Sequence, residues 1–203
     1  MIVCHISKTF GFRKADNKLL YKDFGIVLYG LHIRITPMLG SDAESYARLM
    51  FGDMYDSFTQ RLGKPPATGL PKILSHEAND ETHAIRLTDD PAFIGWITLQ
   101  RDEDDRPDIG ISMIETQRNK GYGPEAIKLF TNHLWHEYGL SMVYFRVHET
   151  NVQSQRAMKK VGAILDKTLP DPREVALLER MPVELRTIPM NLLYYHLDLP
   201  TME

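Results

Sequence analysis

The chain has 203 residues, 43% hydrophobic and 25% charged, which is ordinary for a soluble globular protein and enough for one domain with a full core. Its net charge of -3 excludes a whole-protein attraction to nucleic acid or acidic membranes, and no apolar run approaches the roughly 20 residues of a membrane span. The single cysteine, Cys4, excludes an internal disulfide framework and a cysteine-rich zinc site. The first residues do not resemble a signal peptide, so we expect a cytoplasmic protein without a nucleic-acid or membrane partner.

The first strand pattern follows a mixed N-terminal segment. Residues 1–30 combine glycines and aromatic residues, and we predict an N-terminal extension there that forms an extra strand or hairpin. The main domain is then expected over 31–203. In IVLYGLHIRITPM, Leu31, Ile33 and Ile35 alternate with polar residues, which predicts a strand with one buried face.

A helix and three more strands are predicted before residue 115. Ser41 or Asp42 can cap a helix that runs toward about Arg61, with apolar positions at Met50 and Met54. A proline-rich loop, GKPPATGLP, follows it. The runs THAIRLTDD, PAFIGWITLQ and DIGISMI predict strands, and the acidic RDEDDRPD between the last two predicts a solvated hairpin tip.

The second half alternates helix and strand patterns. PEAIKLFTNHLWHEYG has helical spacing, with Phe130 and Trp135 as core residues and Gly139 at its end. SMVYFRVHE predicts a strand, and NVQSQRAMKKVG predicts a short helix that ends at Gly162. AILDKTL, then DPREVALLERMP, then MNLLYYHLDLP predict a strand, a loop or short helix, and a final strand. The order β-α-β-β-β-α-β-α-β-β is typical of a mixed α/β domain.

The stretch QRNKGYGPEA lies between a strand that ends at Ile114 and a helix that begins at about Gly123. Pro124 suits the first helical position, because its missing N–H would have no partner there in any case. Backbone N–H groups before and at a helix start lack intrahelical partners and lie at the positive end of the helix dipole. The stretch therefore predicts an anion site, with glycines that let phosphate oxygens reach the backbone.

Three phosphate-binding motifs compete for this stretch. A P-loop is excluded because no G-x-x-x-x-G-K-[ST] run occurs. The dinucleotide pattern fits Gly121, Gly123 and Ala126, with Glu149 on the next strand, and would indicate a nucleotide-binding oxidoreductase. The polar run ETQRNK and the strands before it disfavour that pattern. The third motif, [QR]-x-x-G-x-[GA], is met by Arg118 and the same two glycines.

This third motif resembles the pyrophosphate loop of the GNAT N-acetyltransferase superfamily. DIGISMIETQRNKGYGPEA and VHETNVQSQRAMKKVGA resemble two hallmarks of its ribosomal-protein N-terminal acetyltransferase-like branch, over residues 108–163. The resemblance implies the GNAT acyl-CoA N-acyltransferase fold of the α/β (α+β) class. We therefore expect a mixed, mostly antiparallel sheet of about six to seven strands with helices on both faces.

The same resemblance implies acetyl-CoA as co-substrate. Family members splay two central strands apart to receive the pantetheine arm, and Met113 and Ile114 match the backbone positions that pair with it. Asn151 and Ser154 would approach the arm from the other side, although Asn151 also suits a helix N-cap. The implied loop contacts are Arg118, Asn119, Lys120, Gly121, Tyr122, Gly123 and Pro124. Lys160 is predicted to be a solvated helix residue.

The implied reaction is acetyl transfer to a primary amine, on a protein N-terminus or a small molecule. Asp108 matches a frequent acidic residue of the family and is the candidate base. Ser154 could hydrogen-bond the thiol, and His148 is a secondary candidate beside Tyr144 and Glu149. Met158 stands where many members carry a tyrosine acid, so a non-catalytic protein that binds CoA thioesters is the alternative.

A metal centre and an obligate assembly are not indicated by the sequence. His133 and His136 lie three apart on one predicted helix, but no carboxylate or cysteine completes a ligand set. We expect both histidines at the surface. We also expect a monomer or a homodimer, with a small-molecule or peptide amine as the acceptor.

Overall fold

The computed structural model describes residues 25–66, 81–101, 106–183 and 187–200. Its strands are β1 (Leu28–Tyr29), β2 (Ile33–Pro37), β3 (Glu81–Leu87), β4 (Phe93–Arg101), β5 (Pro107–Met113), β6 (Met142–His148), β7 (Ile164–Pro170) and β8 (Asn191–Asp198). Its helices are α1 (Ala43–Phe51), α2 (Met54–Leu62), α3 (Tyr122–Tyr138), α4 (Val152–Val161) and α5 (Pro172–Glu179), with 3₁₀ turns at Gly40–Asp42 and Glu115–Gln117.

The described strands form one sheet in the order β1-β2-β3-β4-β5-β6-β8-β7. Every neighbouring pair is antiparallel except β5 and β6, which are parallel. The predicted mixed, mostly antiparallel sheet is therefore confirmed, but the count of six to seven strands is wrong because the sheet has eight. The additional strand is the two-residue β1, which is too short to show an alternating pattern.

Helices cover both faces of the sheet, as predicted. Successive strand residues point to opposite faces, and on β3 the buried Ala84 packs with Tyr46 of α1, while its neighbour Ile85 packs in the cluster of Phe130 of α3. The larger core lies on the α3 side, where Phe130 is fully buried as expected and Trp135 is partly buried against it.

The run IVLYGLHIRITPM forms a hairpin rather than one strand. β1 pairs with β2, and the turn between them contains Leu31, which is 81% exposed. The predicted inward position of Leu31 is therefore wrong, whereas Ile33 and Ile35 are fully buried. The hairpin lies across the predicted boundary at residue 30. Residues 1–24, residues 67–71 of the predicted loop GKPPATGLP and residues 102–105 of the predicted tip RDEDDRPD lie outside the described residues.

The single helix predicted from Ser41 or Asp42 toward Arg61 is two helices. Gly52 has a φ of +52°, a backbone conformation that ends α1, and α2 begins at Met54. The apolar pattern continues across this break, so periodicity alone did not reveal it. Met50 and Met54, predicted as apolar helix positions, are 52% and 58% exposed.

Two other local expectations are resolved by the structure. DPREVALLERMP forms the short helix α5, and the side chain of Asp171 caps it by accepting a hydrogen bond from the Arg173 N–H. His133 is buried and contacts the Tyr138 ring, so its predicted surface position is wrong.

Among the described residues, no group of three potential ligands could hold a metal ion, and no helix is long and apolar enough to cross a membrane.

Candidate active site

The sheet opens between β5 and β6. These parallel strands are paired at one position only, Asp108 with Tyr144 near the start of β5, whereas β6 pairs with β8 along its whole length. The ends of β5 and β6, at Met113 and His148, therefore diverge without a ladder between them. This divergence is the splay that the family resemblance implies.

A cavity of about 350 Å³ lies at this opening, between the C-terminal end of β5, the N-terminus of α3 and one face of α4. Of the residues predicted to contact the co-substrate, those that line it are Met113, Arg118, Asn119, Gly121, Gly123, Pro124, Asn151 and Ser154. The predicted contacts Ile114, Lys120 and Tyr122 are not among the lining residues, nor are the candidates Asp108 and His148.

The loop before α3 turns sharply at two left-handed residues. Asn119 has a φ of +62° and Gly121 a φ of +89°, and Gly121 is the N-cap of the helix. The helix begins at Tyr122, so the expectation that Pro124 is its first residue is wrong. Pro124 is the third residue, which is still within the first turn, where a missing N–H breaks no helical hydrogen bond.

At the end of β5, Met113 lines the cavity and Ile114 does not. Ile114 donates its N–H to the Ile94 carbonyl of β4 at 2.9 Å. Because backbone groups of successive strand residues point to opposite neighbours, Met113 directs its own groups toward the opening. The Met113 carbonyl accepts a hydrogen bond from Arg118 Nε at 2.9 Å. Arg118 thus connects the loop to the strand end while lining the cavity.

The opposite wall belongs to α4. Asn151 caps this helix, with its side-chain oxygen 3.0 Å from the Ser154 N–H, so it has the capping role and also lines the cavity. Arg156 and Lys160 line the same wall one turn apart. Sequence reasoning missed Arg156 and assigned Lys160 to solvent, although the helical spacing from Gln153 to Lys160 places both on one face.

Asp108 lies on the other face of the sheet from the cavity residues Ile111 and Met113. Its side chain is buried, which rules out an exposed hairpin-end carboxylate. Its Oδ2 accepts a hydrogen bond from Arg146 Nε at 2.6 Å, and Arg146 is partly exposed. The pair thus bridges β5 and β6 at the point where the two strands are closest, so it helps to fix the base of the opening.

His148 lies on the same sheet face as Arg146, two residues further along β6. Its Nδ1 lies 2.8 Å from the Thr150 hydroxyl and its Nε2 lies 3.7 Å from Glu174 of α5. The histidine therefore occupies the end of β6 at the mouth of the opening, on the face opposite α3.

Met158 is almost fully buried in the core on the α3 side. Its thioether has no proton to donate, and its position keeps the side chain away from solvent. The structure gives no replacement for the tyrosine acid at this place on α4.

Glu149 is held by one asparagine. Its Oε1 accepts the Asn191 backbone N–H and its Oε2 the Asn191 side-chain amide, both at 2.9 Å. These hydrogen bonds favour the ionised form and lower the pKa of the Glu149 carboxyl below its usual 4.5. A lowered pKa makes Glu149 a poor proton acceptor near neutral pH.

The lowered pKa of Glu149 predicts a contribution to stability above pH 4.5 that is lost as the pH falls through the folded-state pKa. Replacing Glu149 by Gln removes the titrating group and leaves a neutral amide of the same shape. We expect the free energy of unfolding of the parent to fall more than that of Glu149→Gln between about pH 6 and pH 3. Urea unfolding at several pH values measures both, and parallel curves would contradict the assignment.

Residues 32–164 match the family of acetyltransferase (GNAT) domains. The chain belongs to the GNAT acetyltransferase family. Members of this family use acetyl-CoA as acetyl donor, so the chain is an N-acetyltransferase, and the loop at Arg118, Gly121 and Gly123 lies within the matched residues.

Solved structures of other proteins have a fold similar to that of this chain. A GNAT-family acetyltransferase from Bacillus anthracis is 14% identical, with a TM-score of 0.62 over 85% of this chain and 98% of that one. A putative ribosomal-protein-serine acetyltransferase from Vibrio cholerae is 13% identical, with a TM-score of 0.59 over 85% and 97%. Mycobacterium smegmatis RimJ in complex with CoA-disulfide is 18% identical, with a TM-score of 0.56 over 83% and 84%. No curated protein matches the GNAT chain.

Proposed function

We propose that this GNAT enzyme transfers the acetyl group of acetyl-CoA to a primary amine, on a protein N-terminus or a small molecule. The observation that carries the proposal is the cavity at the opening between β5 and β6, bounded by the start of α3. The similarity to a putative ribosomal-protein-serine acetyltransferase and to RimJ supports the ribosomal-protein N-terminal acetyltransferase-like branch. We further propose a cytoplasmic monomer or homodimer.

The residues at the cavity fit a CoA thioester. A Cβ added at Gly121 or Gly123 would meet no atom within 4 Å, so the backbone there faces open space. Helix N-terminal N–H groups bind phosphate oxygens, and the cationic residues Arg118, Arg156 and Lys160 supply complementary charge. In this proposal the backbone at Met113 and the side chains of Asn151 and Ser154 contact the pantetheine arm. Ile114, Lys120 and Tyr122 do not line the cavity, and in this proposal they support the residues that do.

Acetyl transfer forms an N–C bond and breaks the C–S bond, with one proton leaving the amine and one reaching the thiolate. Acetyl-CoA supplies an activated thioester when bound. We propose that Asp108 accepts the amine proton through water. Its carboxylate lies on the sheet face opposite α3, the same face on which His148 occupies the mouth of the opening. The Ser154 hydroxyl, on the cavity wall, is the candidate hydrogen-bond donor toward the sulfur. His148, at the mouth of the opening, is the second candidate base.

Binding of acetyl-CoA is the first test. A ligand at about 100 times its Kd stabilises the folded state by about 2.7 kcal/mol if it does not bind the unfolded chain. For a chain of this size we expect the melting temperature to rise by roughly 5–10 °C. Differential scanning fluorimetry and calorimetry measure the shift and the heat, with AMP as a control that lacks the thioester arm. No shift and no heat with acetyl-CoA or CoA would overturn the proposal.

One observation favours a second candidate, a GNAT-fold protein that binds CoA thioesters without catalysis. Met158 is buried and cannot donate a proton where many members carry a tyrosine. Positioning of the two reactants can supply much of the rate without an acid, so we prefer the enzyme. A screen of amines and N-terminal peptides for CoA release separates the two candidates and identifies the acceptor.

A further inference from the structure

The first turn of α3 is tied to the turn between β1 and β2 by one carboxylate. Glu125 Oε1 accepts a hydrogen bond from the His32 N–H at 2.8 Å, and Oε2 lies 3.0 Å from His32 Nδ1. The Ile33 N–H also points at Oε1, at 3.4 Å. The Glu125 side chain is 22% exposed, so it lies between the helix and the hairpin rather than in solvent.

The β1–β2 turn is shaped around this carboxylate. The Gly30 N–H donates to the Ile33 carbonyl at 2.8 Å, which closes the turn. A Cβ on Gly30 would lie 2.5 Å from Glu125 Oε1, a distance that real Cβ atoms do not show. The His32 ring also lies 6.2 Å from the Tyr122 ring, and Tyr122 precedes Glu125 by three residues on the same side of α3.

The other side of the same helical turn belongs to the cavity. Gly121, Gly123 and Pro124 line it, whereas Glu125 does not. The Glu125 N–H closes the first turn on the Gly121 carbonyl at 3.1 Å, so a shift of Glu125 would move the residues of the anion site. The first turn of α3 therefore has one face toward the co-substrate and one face held by the hairpin.

A negative charge so close to a phosphate site needs a reason. Charge alone would oppose anion binding, and the helix dipole already provides the attraction. The Glu125 carboxylate, however, is directed at the hairpin, where a backbone N–H at 2.8 Å and the His32 ring meet it. The geometry is that of an anchor rather than of a ligand contact.

We infer that Glu125 is a positioning residue for acetyl-CoA binding, which holds the anion site in place by fixing the first turn of α3 to the β1–β2 turn. The inference rests on the proposed function, because it concerns the same cavity. It extends the site to Gly30 and His32, which lie some 90 residues before the loop in the sequence and belong to no phosphate-binding motif.

The experiment compares acetyl-CoA Kd values by calorimetry. We expect Glu125→Ala to raise the Kd about tenfold, because a loosened loop must be ordered on binding. Glu125→Gln retains an oxygen that can accept the His32 N–H, and we expect its Kd within about threefold of the parent. Glu125→Asp keeps the charge but is one methylene too short, so it should resemble Glu125→Ala. This order of variants separates anchoring from charge.

A double-mutant cycle gives the decisive readout. Gly30→Ala should raise the Kd about tenfold in the parent, because its Cβ displaces the carboxylate. In the Glu125→Ala background the carboxylate obstacle is gone and only the looser approach to the Ile33 carbonyl, at 3.0 Å, remains, so Gly30→Ala should add much less than in the parent. Gly40→Ala is the matched control, since a Cβ at Gly40 meets no atom within 4 Å. The melting temperature of each variant without ligand shows whether it is folded.

The outcomes are distinct. A parent that binds acetyl-CoA while the position 30 and 125 variants keep its Kd, or effects of Gly30→Ala and Glu125→Ala that simply add, would overturn the inference and leave the proposed function intact. A parent that binds neither acetyl-CoA nor CoA would overturn both. If Glu125→Ala is unfolded at the assay temperature, the comparison of Glu125→Gln with Glu125→Asp decides the question.

Discussion

Gly123→Val is expected to lower the affinity for acetyl-CoA by about 100-fold, equivalent to about 2.8 kcal/mol. Gly123 lies in the first turn of α3 and lines the cavity, and a Cβ there would project into open space. A valine would therefore be accepted by the protein but would fill the volume that phosphate oxygens need. The free energy of unfolding should change by less than about 1 kcal/mol, because glycine is already the less favourable helix residue.

Calorimetry of acetyl-CoA binding and urea unfolding together test this expectation. Gly40→Val is the matched control, since Gly40 also has open space around its Cβ but does not line the cavity. Gly121→Val is a weaker test, because its φ of +89° would strain any β-branched residue and confuse blocking with a backbone change. A folded Gly123→Val protein with the parent's Kd would mean that the loop binds no phosphate.

Much of the site was predictable because its chemistry is local in sequence. The loop from Arg118 to Pro124 combines a strand end, glycines and a helix start within ten residues, and each has a fixed physical consequence. The cap role of Asn151 follows from residue type and position in the same way. Eight of the predicted contacts line the cavity for this reason.

The features of the fold and the site that the sequence does not predict depend on contacts between distant segments. Periodicity could not show that Gly52 breaks a helix, since the apolar pattern continues beyond it. The burial of Asp108 depends on Arg146, which is 38 residues later in the sequence. The anchor at Glu125 depends on a hairpin 93 residues earlier. Such pairings are set by strand order and register, which a single sequence specifies only weakly.

Asp108→Asn is expected to lower the acetyl-transfer rate by about 100- to 10,000-fold near neutral pH, the range typical of a lost general base. Asparagine keeps the shape of aspartate and can still receive one hydrogen bond from Arg146, but it cannot accept a proton. The loss should shrink as the pH rises, because more of the acceptor is then a neutral amine without help from the enzyme. The pH–rate profile with the best acceptor from the amine and peptide screen measures this.

Arg146→Gln distinguishes a base from a structural ion pair. Like Asp108→Asn it removes the ion pair, yet it leaves the Asp108 carboxylate in place. If Asp108 accepts the amine proton, Arg146→Gln should retain the rate to within about tenfold, whereas Asp108→Asn should not. Acetyl-CoA Kd and melting temperature, measured for both variants, separate chemistry from folding. Equal losses in the two variants would assign the pair to the structure of the β5–β6 junction. A parent-like profile for Asp108→Asn would move the base to His148, since the lowered pKa of Glu149 makes that carboxylate the weaker candidate.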